Sequence, residues 1–378
     1  MPLTLDTYRI KNAGQVLTPA LLIYPAIVDA NIRATLRMVG NDPNRWRPHI
    51  KTAKLAAILR QLLAHNVENF KCSTTLELLT ACETGAKDVL IAYPLMGANA
   101  RRAREIATEF PMTRISVLVE TGDQAATWRG TNIDTFIDVN PGMDRTGIAE
   151  GRAGDIVQLA QRLGPQFRGL HYYDGHMSGF EAAEREIRAH AGYDRLLQVV
   201  DALEAAHIDV GEVITSGTPA APHAMSYNGF HSARFVHRIS PGTVVYSDMT
   251  TLQQLPEFGY HPAAIVLSTL VSRPTERLMT CDAGHKSVSA DAGIPTCAVI
   301  GHSDWTPLKP SEEHLPIEIP SAAEADLGEP IYLLPRHVCP TVNNFDEALI
   351  VIDGNIESVE PVSARGHETP LLSAAYVA

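Results

Sequence analysis

Arg47-Pro48-His49-Ile50-Lys51-Thr52-Ala53-Lys54 places a lysine where a short apolar stretch gives way to polar loop chemistry. A lysine held there needs a reason, because a buried ammonium without a partner is costly. One reason is nucleophilic: an amine fixed at a strand end bonds an aldehyde, most often that of pyridoxal phosphate (PLP). A solvated strand-end lysine is the plainer alternative, and the rest of the chain decides between them.

A phosphorylated cofactor needs backbone N–H groups and hydroxyls aimed at its phosphate, usually from glycine-containing turns. Ser216-Gly217-Thr218-Pro219 and Ser240-Pro241-Gly242-Thr243 offer both. A third cluster, His337-Val338-Cys339, pairs an imidazole with a thiol two residues apart. On an extended segment, period-two alternation puts both on one side. Imidazole plus thiolate suits zinc among common ions, although catalytic zinc normally has three protein ligands.

The elements that must position these residues follow from the hydrophobic pattern. Strands are expected at 49–52, 70–73, 89–93, 115–120, 136–140, 169–173, 213–216 and 235–240. Most gaps carry helical periodicity. After Lys51, residues Leu55, Ile58, Leu59, Leu62 and Leu63 form one apolar stripe, and further helices are expected near 75–84, 98–109, 153–163 and 181–206. This alternation predicts an α/β fold with a (β/α)₈ TIM-type barrel rather than an open sheet. In such barrels chemistry gathers at the carboxyl ends of the strands, and the end of strands seven and eight is the usual phosphate position. Lys51, Arg145, Tyr173, His176 and Ser216 all fall at strand ends. Beyond residue 250 short segments at 263–271, 287–290, 317–319, 330–334 and 348–352 predict a mostly antiparallel β domain. The expected divisions are residues 1–25, a strand joining the β domain; 26–250, the barrel; and 251–378, the β domain.

The 378 residues call for more than one core. A net charge of −12 argues against nucleic acid or an anionic membrane as the main partner. No apolar run reaches the roughly eighteen residues of a membrane span, and the N-terminus lacks the order of a signal peptide. The five cysteines, Cys72, Cys82, Cys281, Cys297 and Cys339, show no paired spacing, so a reducing cytoplasm is the expected location.

Taken in order, the lysine segment, the Pro141–Gly147 turn, SGT at 216–218 and SPGT at 240–243 resemble alanine racemase-type PLP enzymes. More narrowly, RPHIKTAK, GLHYYDGH, DAGHKSV, SEEH and PRHVCPTVNNFDEALIV resemble the D-threonine aldolase and D-serine dehydratase family, over about residues 17–353. The resemblance implies a PLP barrel with a β domain, a homodimer, and a divalent metal, zinc or manganese. It implies that Lys51 bonds PLP and that Arg145 hydrogen-bonds the cofactor's phenolic oxygen. Tyr173 would pack beside the ring; Ser216, Gly217, Thr218, Gly242 and Thr243 would hold phosphate; His337 and Cys339 would bind the metal. His176 is the candidate base for a substrate β-hydroxyl, and His49 supports Lys51. Ser240 stands where the racemases carry an arginine facing the pyridine nitrogen, and the racemases' second base, a tyrosine of the β domain, is not found. Both departures argue against racemisation.

The implied activity is a lyase acting on D-3-hydroxy amino acids, by D-threonine aldolase-type cleavage to glycine and an aldehyde. The alternative is D-serine or D-3-hydroxyaspartate dehydration on the same scaffold. A non-catalytic PLP carrier and a PLP-free metal hydrolase are the readings of other classes. The large second domain and the His337/Cys339 pair argue against the first, which loss of activity with a chelator would exclude; an aldimine absorbance band would exclude the second. His285-Lys286 and His314 lie in motifs to which chemistry assigns no role.

Overall fold

The computed structural model describes residues 4–320 and 325–370. The chain divides into two compact units, at Lys51/Thr52 and Gly242/Thr243 among other points. The strands in chain order are β1 (Ala20–Ile23), β2 (Asn69–Cys72), β3 (Asp88–Ile91), β4 (Arg114–Val119), β5 (Asp134–Asn140), β6 (Ile148–Ala149), β7 (Phe167–Tyr172), β8 (Glu212–Thr215) and β9 (Val236–Ile239). They continue with β10 (Ala264–Thr275), β11 (Leu278–Cys281), β12 (Cys297–Val299), β13 (Thr306–Pro307), β14 (Leu315–Glu318), β15 (Pro330–Pro335), β16 (Glu347–Ile352) and β17 (Asn355–Pro361).

The barrel unit holds a parallel sheet in the order β2-β3-β4-β5-β7-β8-β9, with β6 beside β5. The segment expected as the first strand, 49–52, is not one. It keeps one parallel bridge, His49 with Lys71, preceded by another at Trp46 with Ile239, and residues 50–53 form a turn. Pro48 lacks an N–H, so a continuous ladder is interrupted there. The bridges still join β9 to β2 around the circle. Helices at Thr75–Glu83, Gly97–Glu109, Ala153–Leu163 and Ala182–Ala205 cover the outside.

Inward residues stack in layers, as alternation along each strand requires. At the strand starts Asp88 and Glu212 meet Arg47, Arg168 and Arg238. Arg47 donates to Asp88 at 2.9 and 3.1 Å and to Glu212 at 3.0 and 3.2 Å. Arg168 donates to both carboxylates and to Ser116 Oγ at 3.1 Å, and Arg238 pairs with Glu212. Burial alone would raise the Asp88 and Glu212 pKa values; the arginines hold both below the ordinary carboxylate range. Above this layer Leu90, Leu118, Phe136 and Ile214 make an apolar middle. Lys71, Asp138 and His171 follow toward the strand ends.

In the second unit β1 pairs antiparallel with β10 and parallel with β16, and β10 also pairs with β11 and β15. Side chains of β10 alternate between two cores: Val266 and Leu270 pack with Met279, Leu315 and Ile317, while Ile265 and Leu267 pack with Leu22, Tyr332 and Val351. Residues 287–290, expected as strand, form a turn, because Ser287 and Val288 donate to the Gly284 carbonyl at 3.0 and 2.9 Å. Among the described residues no helix is long and apolar enough to cross a membrane.

Candidate functional site

Lys51 lies exposed in the turn that follows the closing bridge. Its backbone N–H donates to His49 Nδ1 at 3.3 Å, and His49 Nε2 lies 3.0 Å from Ser73 Oγ. The imidazole therefore ties the lysine turn to the end of β2. The turn after β5 is pinned by Asn140, whose Oδ1 accepts from Gly142 N at 2.9 Å and Asp144 N at 3.1 Å. It presents Arg145, whose guanidinium carbon sits 4.7 Å from the centroid of the Tyr173 ring. Tyr173 follows β7 directly, and the same ring covers the glycine turn after β8. A Cβ at Gly217 would stand 2.9 Å from Tyr173 Cε2.

The carboxyl ends of β8 and β9 combine buried hydroxyls with closely approached glycines. Among the described residues Ser216 Oγ and Ser240 Oγ are buried without a hydrogen-bond partner. Buried hydroxyls are normally satisfied, so a pair of orphans points to a ligand that completes them. Ser216 holds φ at 56°, the left-handed region that a β-substituted residue occupies only under constraint. At Gly242 a Cβ would stand 2.2 Å from the His49 carbonyl oxygen, so only glycine fits. Thr218, in the same turn as Gly217, is buried.

His176 lies in a tight turn at Gly175–Gly179, half-buried, with Nδ1 unpartnered. Burial lowers its pKa below the ordinary histidine value, which favours the neutral ring. Asp174 is buried and its pKa is pushed up to about 6 by burial, with Tyr193 donating to it at 2.8 Å.

The remaining candidates belong to the β unit. His337 and Cys339 are not on an extended segment. His337 caps a short helix, Val338–Asn343, in which Cys339 is the second residue. Asp248 Oδ2 accepts from Val338 N at 3.0 Å, satisfying a donor that an extended strand would have used in a ladder. The two side chains nonetheless meet. Burial would lower the His337 pKa, but the Cys339 sulfur and Asp291 raise it to about 9. His337 Nδ1 lies 2.7 Å from Asp291 Oδ2, leaving Nε2 as the ring atom for an ion. Cys339 Sγ lies 2.9 Å from Thr52 Oγ1 and 3.6 Å from Thr243 Oγ1. Thr243 thus stands beside the sulfur. No cluster of three or more His, Cys, Asp and Glu side chains suited to a metal occurs among the described residues. The donor set fits a divalent ion that retains open positions for water or substrate.

Sequence reasoning missed Asp291, Thr52 and the Lys71–His171–Asp138 chain. The available signal was Lys71 itself, a lysine inside the apolar strand Asn69-Phe70-Lys71-Cys72.

The alanine racemase N-terminal domain family matches residues 23–249, and a putative serine dehydratase domain matches residues 263–351. D-threonine aldolase of Arthrobacter sp. is 27% identical, covering 93% of this chain and 94% of that protein. 3-Hydroxy-D-aspartate aldolase of Paracoccus denitrificans (strain Pd 1222) is 26% identical, covering 94% of each. The crystal structure of D-threonine aldolase from Filomicrobium marinum superposes with a TM-score of 0.84 at 25% identity, covering 93% of this chain and 97% of that one.

Proposed function

Because the chain belongs to the alanine racemase-type PLP enzymes, in the branch of D-threonine aldolase and D-serine dehydratase, we propose that it is a metal-activated lyase of D-3-hydroxy amino acids cleaving the Cα–Cβ bond to give glycine and an aldehyde. The observation that carries this reading is the barrel mouth: an exposed lysine, a cation on a tyrosine face, and two buried hydroxyls lacking partners.

PLP supplies an electron sink for the bond broken at Cα, and a divalent ion supplies Lewis acidity toward a hydroxyl. In this reading Lys51 bonds the cofactor through Nζ, and the His49 hydrogen bond to its backbone fixes where that amine starts. Arg145 donates to the phenolic oxygen and keeps its orientation by stacking on Tyr173. Ser216, Gly217, Thr218, Gly242 and Thr243 receive the phosphate. His176, neutral because it is partly desolvated, accepts the proton of the β-hydroxyl. His337 Nε2 and the Cys339 thiolate hold the ion, and Asp291 fixes the imidazole tautomer from behind.

The match of residues 263–351 to a serine dehydratase domain supports a second reading, in which Lys51 takes the α-proton and the hydroxyl leaves. Incubation of the PLP- and metal-loaded protein with D-threonine separates the two. Glycine with acetaldehyde supports cleavage; 2-oxobutanoate with ammonia overturns it in favour of dehydration. The two relatives at 27% and 26% identity are named D-threonine aldolase and 3-hydroxy-D-aspartate aldolase, which supports cleavage as the first assignment, while a relative at 22% is named D-threo-3-hydroxyaspartate dehydratase.

A further inference from the structure

Lys71 is 2% exposed, in the upper layer of the barrel, and none of the chemistry above uses it. Its Nζ lies 3.1 Å from His171 Nε2. On the far side of that ring, Nδ1 is 2.7 Å from Asp138 Oδ1, and Asp138 Oδ2 accepts from Thr146 Oγ1 at 2.7 Å. Burial opposes ionisation of Asp138, yet its hydrogen bonds with His171 and Thr146 hold its pKa below the ordinary value. An ionised Asp138 selects the tautomer with its proton on Nδ1, so Nε2 accepts and Lys71 donates.

The lysine's donor capacity is then largely unused. An ammonium has three N–H groups, and among the described residues His171 is its one hydrogen-bond acceptor. The face of Tyr173 lies 5.2 Å away, and Arg145 occupies the same ring at 4.7 Å. Burial first, and then the Lys51 charge, lower the Lys71 pKa to about 7. Asp138 and Asp174 act on this amine by charge, yet among the described residues neither carboxylate accepts from Nζ, so its spare donors leave room for an anionic acceptor.

We propose that Lys71 is a ligand-contacting residue of this site, whose amine donates to an anionic oxygen brought in by the bound molecules. This rests on the PLP reading, and the oxygen has two possible sources: the cofactor's phenolic oxygen, or the side-chain carboxylate of a dicarboxylic substrate such as a 3-hydroxyaspartate.

The test uses the full chain with Lys71→Met and Lys71→Gln, each reconstituted with PLP and metal. Three quantities are read: affinity for PLP, the visible spectrum of the bound cofactor, and the ratio of kcat/KM for D-3-hydroxyaspartate over D-threonine. If the cofactor supplies the oxygen, PLP affinity falls about tenfold and the band shifts, with the substrate ratio unchanged. If the substrate supplies it, spectrum and affinity stay as in the wild type and the ratio falls about tenfold. Lys71→Arg restores part of either loss. Wild-type affinity, spectrum and ratio in Lys71→Gln would overturn the proposal, including the case in which only Lys71→Met folds poorly, since that is the behaviour of a barrel filler. A wild-type chain that gives no visible band with PLP defeats the cofactor reading itself and is separately visible.

Discussion

The two ends of the barrel are built from similar residue types and finished differently. At the strand starts, Arg47, Arg168 and Arg238 close on Asp88 and Glu212, and none of these side chains carries a buried atom without a partner. At the strand ends Ser216 Oγ, Ser240 Oγ, Asp174 Oδ1 and His176 Nδ1 are all buried and have no hydrogen-bond partner among the described residues. The same low dielectric that makes the lower network strong makes the upper groups costly. Orphaned buried atoms also occur elsewhere, at Arg104 Nε, Trp128 Nε1 and His237 Nδ1, so incompleteness marks the functional end only where it coincides with the glycine turns and the exposed lysine.

The largest expected effect is at the closed end. Glu212→Gln leaves three arginines facing one carboxylate and should destabilise the protein by about 3–5 kcal/mol, read by denaturant unfolding. A loss under about 1 kcal/mol would mean the network is not what holds the barrel together. The sign of its pH dependence follows from the depressed Asp88 and Glu212 pKa values. A group depressed in the folded state contributes stability above its unfolded pKa and loses it as pH falls through the folded one. Wild-type stability should therefore hold above about pH 4 and fall below it, and Glu212→Gln should flatten that fall.

A middle-sized effect belongs to Asp291 in the β unit, which holds His337 from one side while Cys339 meets it from another. Asp291→Asn should weaken zinc binding by about 10–100-fold in chelator competition, with secondary structure unchanged. Unaltered zinc affinity would show that the His337 tautomer needs no partner.

The smallest effect is the sharpest contrast with the closed end. Ser216→Ala should reduce PLP affinity by about tenfold while leaving the thermal midpoint unchanged or raised, because it removes a buried orphan hydroxyl. A lowered midpoint with intact affinity would invert the comparison.

The barrel was legible because its period is local: the stripe through Leu55, Ile58, Leu59 and Leu62 became the helix Ala56–Ala64. Tyr173 and Ser216 follow β7 and β8 directly, because strand ends are signalled by changes of residue class, whereas Lys51 lies in a turn rather than at a strand end. What failed to read depended on distant partners. His337 and Cys339 read as extended, since nothing nearby says that Asp248, ninety residues earlier, caps a helix there. Residues 287–290 have strand-like composition, but the N–H groups of Ser287 and Val288 turn back on Gly284 and that of Ser289 donates to Thr341. Lys71 drew no notice because its partners, His171 and Asp138, come from two other strands.

Reduction of the PLP-loaded protein with borohydride, followed by peptide mass spectrometry, tests the central claim most directly. A phosphopyridoxyl mass on the peptide containing Lys51 is expected, and its loss in Lys51→Ala. The same mass on Lys71, or on no lysine at all, would contradict it.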